Sequence, residues 1–330
     1  MSKPQNQVNL GIILIGHRNQ QHTMNSKHAI ILTGFLGAGK TTFLNHYLKT
    51  QAPTRYAIIE NEFGEQGIDG EVLTCTTDSL VTMNNGCLCC TLNSNLYDIL
   101  SELDQSREAF DALIIEATGV ADPAGIAQPF LIHPAIRKAF ALQHVVCLVD
   151  ALHLESQLAD TEETQRQIAF SNILLLNKTD LVSQEKTEAL KALLQKINPW
   201  ALVLEGNHHR YPVLPQGSFM DNVSTNTAAH HHHHKDLSTL SFSYTQAFKL
   251  DTLRFVLQQF LMFQAKSVYR TKGIIQATDG QHYLVQSVGQ QLSITPLAAP
   301  THSGSRMVFI GKNLQPKGYD RMLQGCLAKT

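Results

Sequence analysis

The chain carries no surplus of either charge: 26 Lys and Arg stand against 27 Asp and Glu, a formal net charge of −1 over 330 residues. Without a bulk field there is no electrostatic basis for nucleic acid or an anionic membrane surface as partner, so recognition has to be local. Long apolar runs are missing too. The N-terminal run from Val8 to Ile15 is too short to span a bilayer, contains Asn9 and Gly11, and lacks a basic start, which makes a poor secretory signal. Nor do the six cysteines form a disulfide framework. Of Cys75, Cys87, Cys89, Cys90, Cys147 and Cys326, three crowd into four positions. That crowding suits thiolate metal binding in a reducing, cytoplasmic compartment. No internal repeat is visible. What remains is an ordinary composition, 43% hydrophobic, with enough chain to build a core for each of two domains.

The strongest signal is Ile30 to Thr42, I-I-L-T-G-F-L-G-A-G-K-T-T. Three apolar residues of a buried strand run into Gly34-Phe35-Leu36-Gly37-Ala38-Gly39-Lys40-Thr41, which satisfies G-x-x-x-x-G-K-[ST], and a helical pattern follows. Gly34, Gly37 and Gly39, with Ala38, let backbone N–H groups close around phosphate oxygens, and the helix N-terminus adds its partial positive charge. Lys40 is expected to reach the β- and γ-phosphates, Thr41 to ligate Mg²⁺, and Thr42 to lie near the α-phosphate.

Downstream, Asn61 to Gly70 is an acidic, Gly-rich loop in the place of a first switch segment. Cys87, Cys89 and Cys90 stand at the entrance to a helix, where the N-terminal field favours thiolates. Their crowded spacing makes two or three thiolates plus a carboxylate or His from elsewhere the plausible ligand set. Buried structural cysteines are the plainer alternative. Asp111 to Glu116 reads as a strand that delivers Glu116, and then Gly119, to the phosphates. Glu116 would hold Mg²⁺ or its waters, and the Gly119 amide would sense the γ-phosphate. Another strand, Asn172 to Leu176, leads into Asn177-Lys178-Thr179-Asp180. The Asp180 carboxylate can accept from the guanine N1–H and exocyclic amine, a donor pair adenine lacks, while Asn177 and Lys178 brace the loop. That pattern argues for GTP over ATP.

The expected organisation is a disordered, dispensable extension over 1–23, a P-loop domain over 24–205, a flexible His-rich linker over 206–236 and a C-terminal domain over 237–330. The fold class is α/β, a P-loop NTPase domain with a mostly parallel sheet, followed by a small α+β domain. Within the linker, His230, His231, His232, His233 and His234 offer neutral imidazoles and a weak, auxiliary metal-binding tract. An internal affinity tag or a merely solvated run are the rival readings.

Taken together, G-F-L-G-A-G-K-T-T, E-N-E-F-G, G-C-L-C-C, E-A-T-G-x-A-D-P and N-K-T-D, with R-T-K-G and R-M-V-F-I-G further on, resemble the CobW-type GTPases, a family similar to the nickel-inserting GTPases of hydrogenase and urease maturation. The resemblance implies a metallochaperone: slow, Mg²⁺-dependent GTP hydrolysis coupled to holding and delivering a transition metal, mostly Zn²⁺, with Co²⁺ or iron in some branches, to a client metalloprotein. It implies a metal site drawing on Cys87, Cys89 and Cys90, with Glu60 and Glu65 as neighbours. Lys40 and Glu116 are then the catalytic candidates. Glu116 departs from the Asp usual in GTPases, and many family members lack a long His run. A zinc buffer using that run, a cobalt- or iron-inserting GTPase and an ATP-dependent small-molecule kinase are the competing functions. A homo-oligomer is left open.

Overall fold

The computed structural model describes residues 10–15, 26–51, 53–61, 80–83, 92–106, 110–217, 219, 231–234, 236–264, 266–297 and 304–328. They divide into two units: the first spans 1–167, 171–191 and 201–222, and the second 168–170, 192–200 and 223–330.

The first unit is built on an eight-stranded sheet. Its strands are β1 (Leu10–Ile15), β2 (Lys27–Thr33), β3 (Tyr56–Asn61), β4 (Leu80–Met83), β5 (Ala112–Glu116), β6 (Phe140–Asp150), β7 (Ile173–Asn177) and β8 (Leu202–Glu205), in the spatial order β4-β1-β3-β5-β2-β6-β7-β8. From β3 to β8 the pairings are parallel, as expected where helices return the chain to the same end each time. The connecting helices are α1 (Lys40–Thr50), α2 (Leu92–Gln105), α3 (Pro123–Ile132), α4 (Pro134–Ala139), α5 (Leu154–Asp160), α6 (Glu162–Phe170) and α7 (Gln184–Ile197). The ends of α6 and α7, residues 168–170 and 192–197, group with the second unit.

Strand alternation sets one face of this sheet. Ile30 and Leu32, Ile58, Ala112 and Ile114, Val146 and Leu148, Ile173 and Leu175 form one buried cluster against Phe43, Leu44 and Leu48 of α1. Apolar residues at i, i+1 and i+5 of α1 give it a buried stripe, so the phosphate-loop helix is fixed by packing. Truncating Phe43, fully buried here, would cost about 3–5 kcal/mol.

Two expectations need correction. The extension over 1–23 is not wholly without structure: Leu10–Ile15 pairs antiparallel with both β3 and β4, which an apolar run of strand-forming residues favours. The stretch after β8 is not all linker. Tyr211 and Leu214 enter the cluster under α1, with the Tyr211 ring edge-on to Phe43 at 5.2 Å. Buried His144 donates through Nε2 to the Pro215 carbonyl at 2.8 Å and accepts at Nδ1 from the Asn172 amide at 3.2 Å. Burial pulls its pKa down, which keeps the ring neutral for that double role.

The second unit is a six-stranded antiparallel sheet of β9 (His231–His234), β10 (Leu237–Tyr244), β11 (Val268–Gln276), β12 (His282–Val288), β13 (Gln291–Pro296) and β14 (Ser305–Lys312), ordered β13-β12-β11-β14-β10-β9. Helices α8 (Leu250–Gln264) and α9 (Pro316–Gln324) cover it through Leu253, Leu257, Leu261, Tyr319 and Leu323. Four histidines of the run thus belong to a strand paired with β10. Among the described residues, no helix is long and apolar enough to cross a membrane.

Candidate nucleotide site

The phosphate loop leaves the carboxyl end of β2 and turns at once into α1. Gly34, Gly37 and Gly39 have φ of 135°, 76° and 95°. At Gly39 the need for glycine is doubly fixed: the backbone is left-handed, and a Cβ there would collide with the Asn177 carboxamide. That carboxamide donates from Nδ2 to the Ala38 carbonyl at 2.8 Å. Asn177, the last residue of β7, therefore braces the loop from across the sheet.

The Lys40 ammonium donates to the carbonyls of Gly34 at 3.0 Å and Phe35 at 3.5 Å. Burial lowers its pKa, while the nearby Glu116 carboxylate and Cys147 thiol act the other way. The Cys147 thiol is itself pushed up to about 12 by burial, with Lys40 opposing, so it stays protonated and inert. Beside Lys40, the Thr41 hydroxyl donates to Glu116 Oε1 at 2.9 Å. Parallel pairing of β2 with β5 sets Leu32 opposite Glu116, which brings that carboxylate to the phosphate end. A hydroxyl and a carboxylate facing each other are hard oxygen donors, the set that fits Mg²⁺. Thr42 is exposed in the first turn of α1.

Gly119 follows on the next loop and lies against the phosphate loop: a Cβ would sit 2.6 Å from the Leu36 side chain and 2.7 Å from its backbone N. The loop is clasped from behind by α6. Gln167, fully buried, donates from Nε2 to the carbonyls of Gly119 at 3.0 Å and Ala121 at 3.2 Å. Sequence reading missed Gln167, since no local motif marks a contact made 48 residues away.

At the base-recognition end, Lys178 is held left-handed at φ 60° and donates from Nζ to Asp150 at 2.8 Å. Burial pushes the Asp150 carboxyl up, but hydrogen bonds from Lys178, His153 and the Leu152 N–H outweigh it and leave the group below its ordinary value. Asp180 lies in the short turn Thr179–Leu181, an exposed residue whose carboxylate stands 3.8 Å from His208 Nδ1. The structure thus brings Gly34, Gly37, Ala38, Gly39, Lys40, Thr41, Glu116, Gly119 and Asn177 together, with Lys178 and Asp180 on the adjoining loop.

The metal candidates fare differently. Cys87, Cys89, Cys90, Glu65 and His230 lie outside the described residues. Glu60 is described as backbone only, in β3, where it is the register partner of Glu116. His231 to His234 are likewise a backbone strand. Among the described residues, no group of three or more His, Cys, Asp or Glu is placed to hold a metal ion.

A family model described as CobW/HypB/UreG, nucleotide-binding domain, matches residues 28–205, and the cobalamin synthesis protein cobW C-terminal domain model matches 237–327. The chain belongs to the CobW family. Among curated proteins this CobW-family chain is similar to the zinc chaperone YjiA of Escherichia coli, 33% identical over 306 residues, which covers 88% of this chain and 96% of that protein. It is also similar to the zinc-regulated GTPase metalloprotein activator 1 of Schizosaccharomyces pombe, 29% identical over 92% of this chain and 84% of that one. Among solved structures, the Zn(II)-bound YjiA GTPase from E. coli superposes with a TM-score of 0.67 at 30% identity, covering 92% of this chain and all of that one. A Zn(II)-bound YjiA triple mutant, with one glutamate and two adjacent cysteines replaced by alanine, superposes with a TM-score of 0.72 at 29% identity over the same shares.

Proposed function

We propose that this CobW-family chain is a GTPase metallochaperone that holds a transition metal, Zn²⁺ before Co²⁺, on Cys87, Cys89 and Cys90 and passes it to a client metalloprotein under control of GTP. The observation that carries the GTPase reading is the pairing of the Thr41 hydroxyl with Glu116 at 2.9 Å beneath a loop braced by Asn177. It supports reading the loop as a phosphate cradle, the hydroxyl–carboxylate pair as a Mg²⁺ donor set and the turn after Asn177 as the guanine-reading loop.

In this reading the amides of 37–42 and the Lys40 ammonium hold the phosphates, and Asp180 selects guanine. Thr41 and Glu116 would hold Mg²⁺, which would supply neutralising charge to the phosphates when bound. The Gly119 amide meets the γ-phosphate, and Lys40 and Glu116 shape the charge around the phosphoryl group as water attacks it in line. Catalysis by positioning and charge needs no covalent intermediate.

The zinc half of the reading draws on two supports. Each of these relatives carries zinc in its name or its structure, and the glutamate and cysteine pair replaced in the YjiA triple mutant have the same sequence separation as Glu60 and Cys89-Cys90 in this chain. Glu60 in turn is the strand neighbour of Glu116. A thiolate site that includes Glu60 therefore shares a strand pair with the Mg²⁺ donor set. A shift of that site from about 1% to 99% competent requires GTP to favour the competent state by roughly 5.5 kcal/mol, within reach of a γ-phosphate and its metal ion. Glu65 is a further candidate ligand. We assign 24–205 to the GTPase, 237–330 to client recognition and His230 to His234 to weak auxiliary metal binding, in a cytoplasmic setting that keeps the thiols reduced.

Titration of the purified chain with Zn²⁺ in the presence of GTP, of GDP and of neither tests the coupling. The expected result is one tight site whose affinity changes between GTP and GDP. Cys89→Ser should weaken that site and leave GTP affinity nearly intact, and equal zinc affinity in all three nucleotide states sinks the proposal. The zinc-buffer reading rests on the His run and fails if deletion of 230–234 leaves the tight site in place.

A further inference from the structure

The clasp between α6 and the Glu116–Asp122 loop has a geometry that hydrolysis can use. The loop starts fixed, because Ala117 N–H donates to the Leu32 carbonyl at 2.8 Å beside the phosphate loop. Its turn is closed by Ala121 N–H to the Thr118 carbonyl at 3.1 Å. Its far end is held by two consecutive α6 residues. Gln167 gives one N–H to each of the carbonyls of Gly119 and Ala121, and the Arg166 guanidinium lies 3.4 Å from the Asp122 carboxylate, which caps α3 through the Ala124 N–H.

A carboxamide nitrogen has two protons, and in this loop they span two carbonyls two residues apart. One atom therefore sets the curvature of the segment whose Gly119 lies against Leu36 of the phosphate loop. The helix that carries it is anchored on its own account: Ser171 Oγ donates to the Gln167 carbonyl at 2.8 Å, and Gln165 Nε2 to Leu158 at 2.9 Å. Both Nε2 protons of Gln167 have partners while its Oε1 is buried without one among the described residues, so the carboxamide is held through its nitrogen, and rigid placement at the point where charge develops is what phosphoryl transfer consumes.

We propose that Gln167 is a positioning residue for GTP hydrolysis, fixing the Gly119–Ala121 backbone at the place where the γ-phosphate is met; the proposal rests on the GTPase reading. In this role Gln167 acts through the backbone it holds, as its Nε2 contacts with the Gly119 and Ala121 carbonyls require. Its effect runs through the direction of the Gly119 peptide, so it should act on turnover and not on the binding of a nucleotide that lacks the γ-phosphate.

The test uses the full chain with Gln167→Met and Gln167→Glu, each normalised to the binding-competent fraction by titration with a fluorescent GDP analogue. Met removes both donors at similar volume, and Glu turns a carboxylate toward two carbonyls. The expected result is a fall in kcat of about 10- to 100-fold in both, Glu the more affected, with GDP affinity within about 2-fold of wild type. The proposal is overturned if kcat per binding site stays within about 2-fold of wild type, if GDP affinity falls in step with kcat, or if both variants lose GDP binding altogether, since the last two mark a structural role. Should Gln167→Met alone fail to fold, Gln167→Glu decides. Wild-type turnover in the same assay separates the two claims: an inactive wild type sinks the GTPase reading, whereas an active wild type with indifferent variants sinks only the role of Gln167.

Discussion

The two units keep buried and half-buried polar side chains for different ends. In the first, Lys40, Thr41, Glu116, Asn177 and Gln167 converge on the carboxyl ends of parallel strands and bind one another or the loops beside them. In the second, the buried Arg270 and Lys272 and the half-buried Arg306 lie on aromatic faces. The Arg270 guanidinium stands 5.0 Å from the Phe170 ring and donates to the Phe170 carbonyl, while Lys272 and Arg306 lie 5.4 and 5.5 Å from the Trp200 ring. A cation over a ring inside a core contributes to stability and is not presented to a substrate. The difference teaches that burial of a cation is not by itself a mark of chemistry: fully buried Arg270 and Lys272 belong to the second unit, whereas the half-buried Lys40 of the first stands at the phosphate loop.

The largest effect should come from Lys40→Ala. Its ammonium is expected to bring a full positive charge to the β- and γ-phosphates, so GTP turnover should fall by about 10³-fold or more. Stability should hardly move, because Lys40 donates to two carbonyls of its own loop. Single-turnover kinetics beside a melting curve would read both. A large loss of melting temperature with residual turnover would erase the contrast between the units.

Trp200→Ala should show the reverse pattern. Trp200 is buried and carries two cations on its faces, so removing it should cost about 3–5 kcal/mol and melt the second unit first. Turnover per GDP-binding site should stay near wild type. With two units in one chain, unfolding should be followed by calorimetry rather than by a single two-state midpoint. Loss of turnover in the folded protein would mean that the second unit takes part in the chemistry.

Asp180→Asn sharpens the comparison within the first unit, between the phosphate end and the base end. Its carboxylate accepts twice, which matches the two donors of guanine. An Asn offers one acceptor and one donor, which matches the N1–H and C2 carbonyl of xanthine. GTP selectivity should fall by about 100-fold or more, and XTP should become a substrate with kcat near that of wild type on GTP. Competition between GTP and XTP would measure it.

What was legible in the sequence follows the same line. The phosphate loop, Glu116 and Asn177 to Asp180 are local patterns at strand ends, and their backbone needs are written in adjacent residues. Gln167 was not legible, because its partners lie on a loop brought to it only by the winding of α3 to α6. Tyr211 and Leu214 sit in a stretch rich in His, Pro and Asn that reads as linker, yet they supply apolar area that α1 needs beneath it. The C-terminal region was legible only as a small α+β domain, and its last helix, α9, begins at Pro316 because proline is at home in a first helical turn.

The smallest effect should follow removal of residues 1–23, and it bears most directly on where the site is rooted. β1 pairs with β3 and β4, whereas the phosphate loop leaves β2, whose neighbours are β5 and β6. Family similarity begins at residue 28, just after the segment to be removed. Truncation should therefore cost about 1 kcal/mol or less, a shift of roughly 2–4 °C in melting temperature for a unit of this size. Turnover should stay within about 2-fold, because the contacts of Thr41 with Glu116 and of Asn177 with Ala38 do not involve β1. A collapse of GTP turnover on truncation would show instead that β3, and with it Glu60, depends on the added strand, and the site would then have to be drawn across the whole sheet.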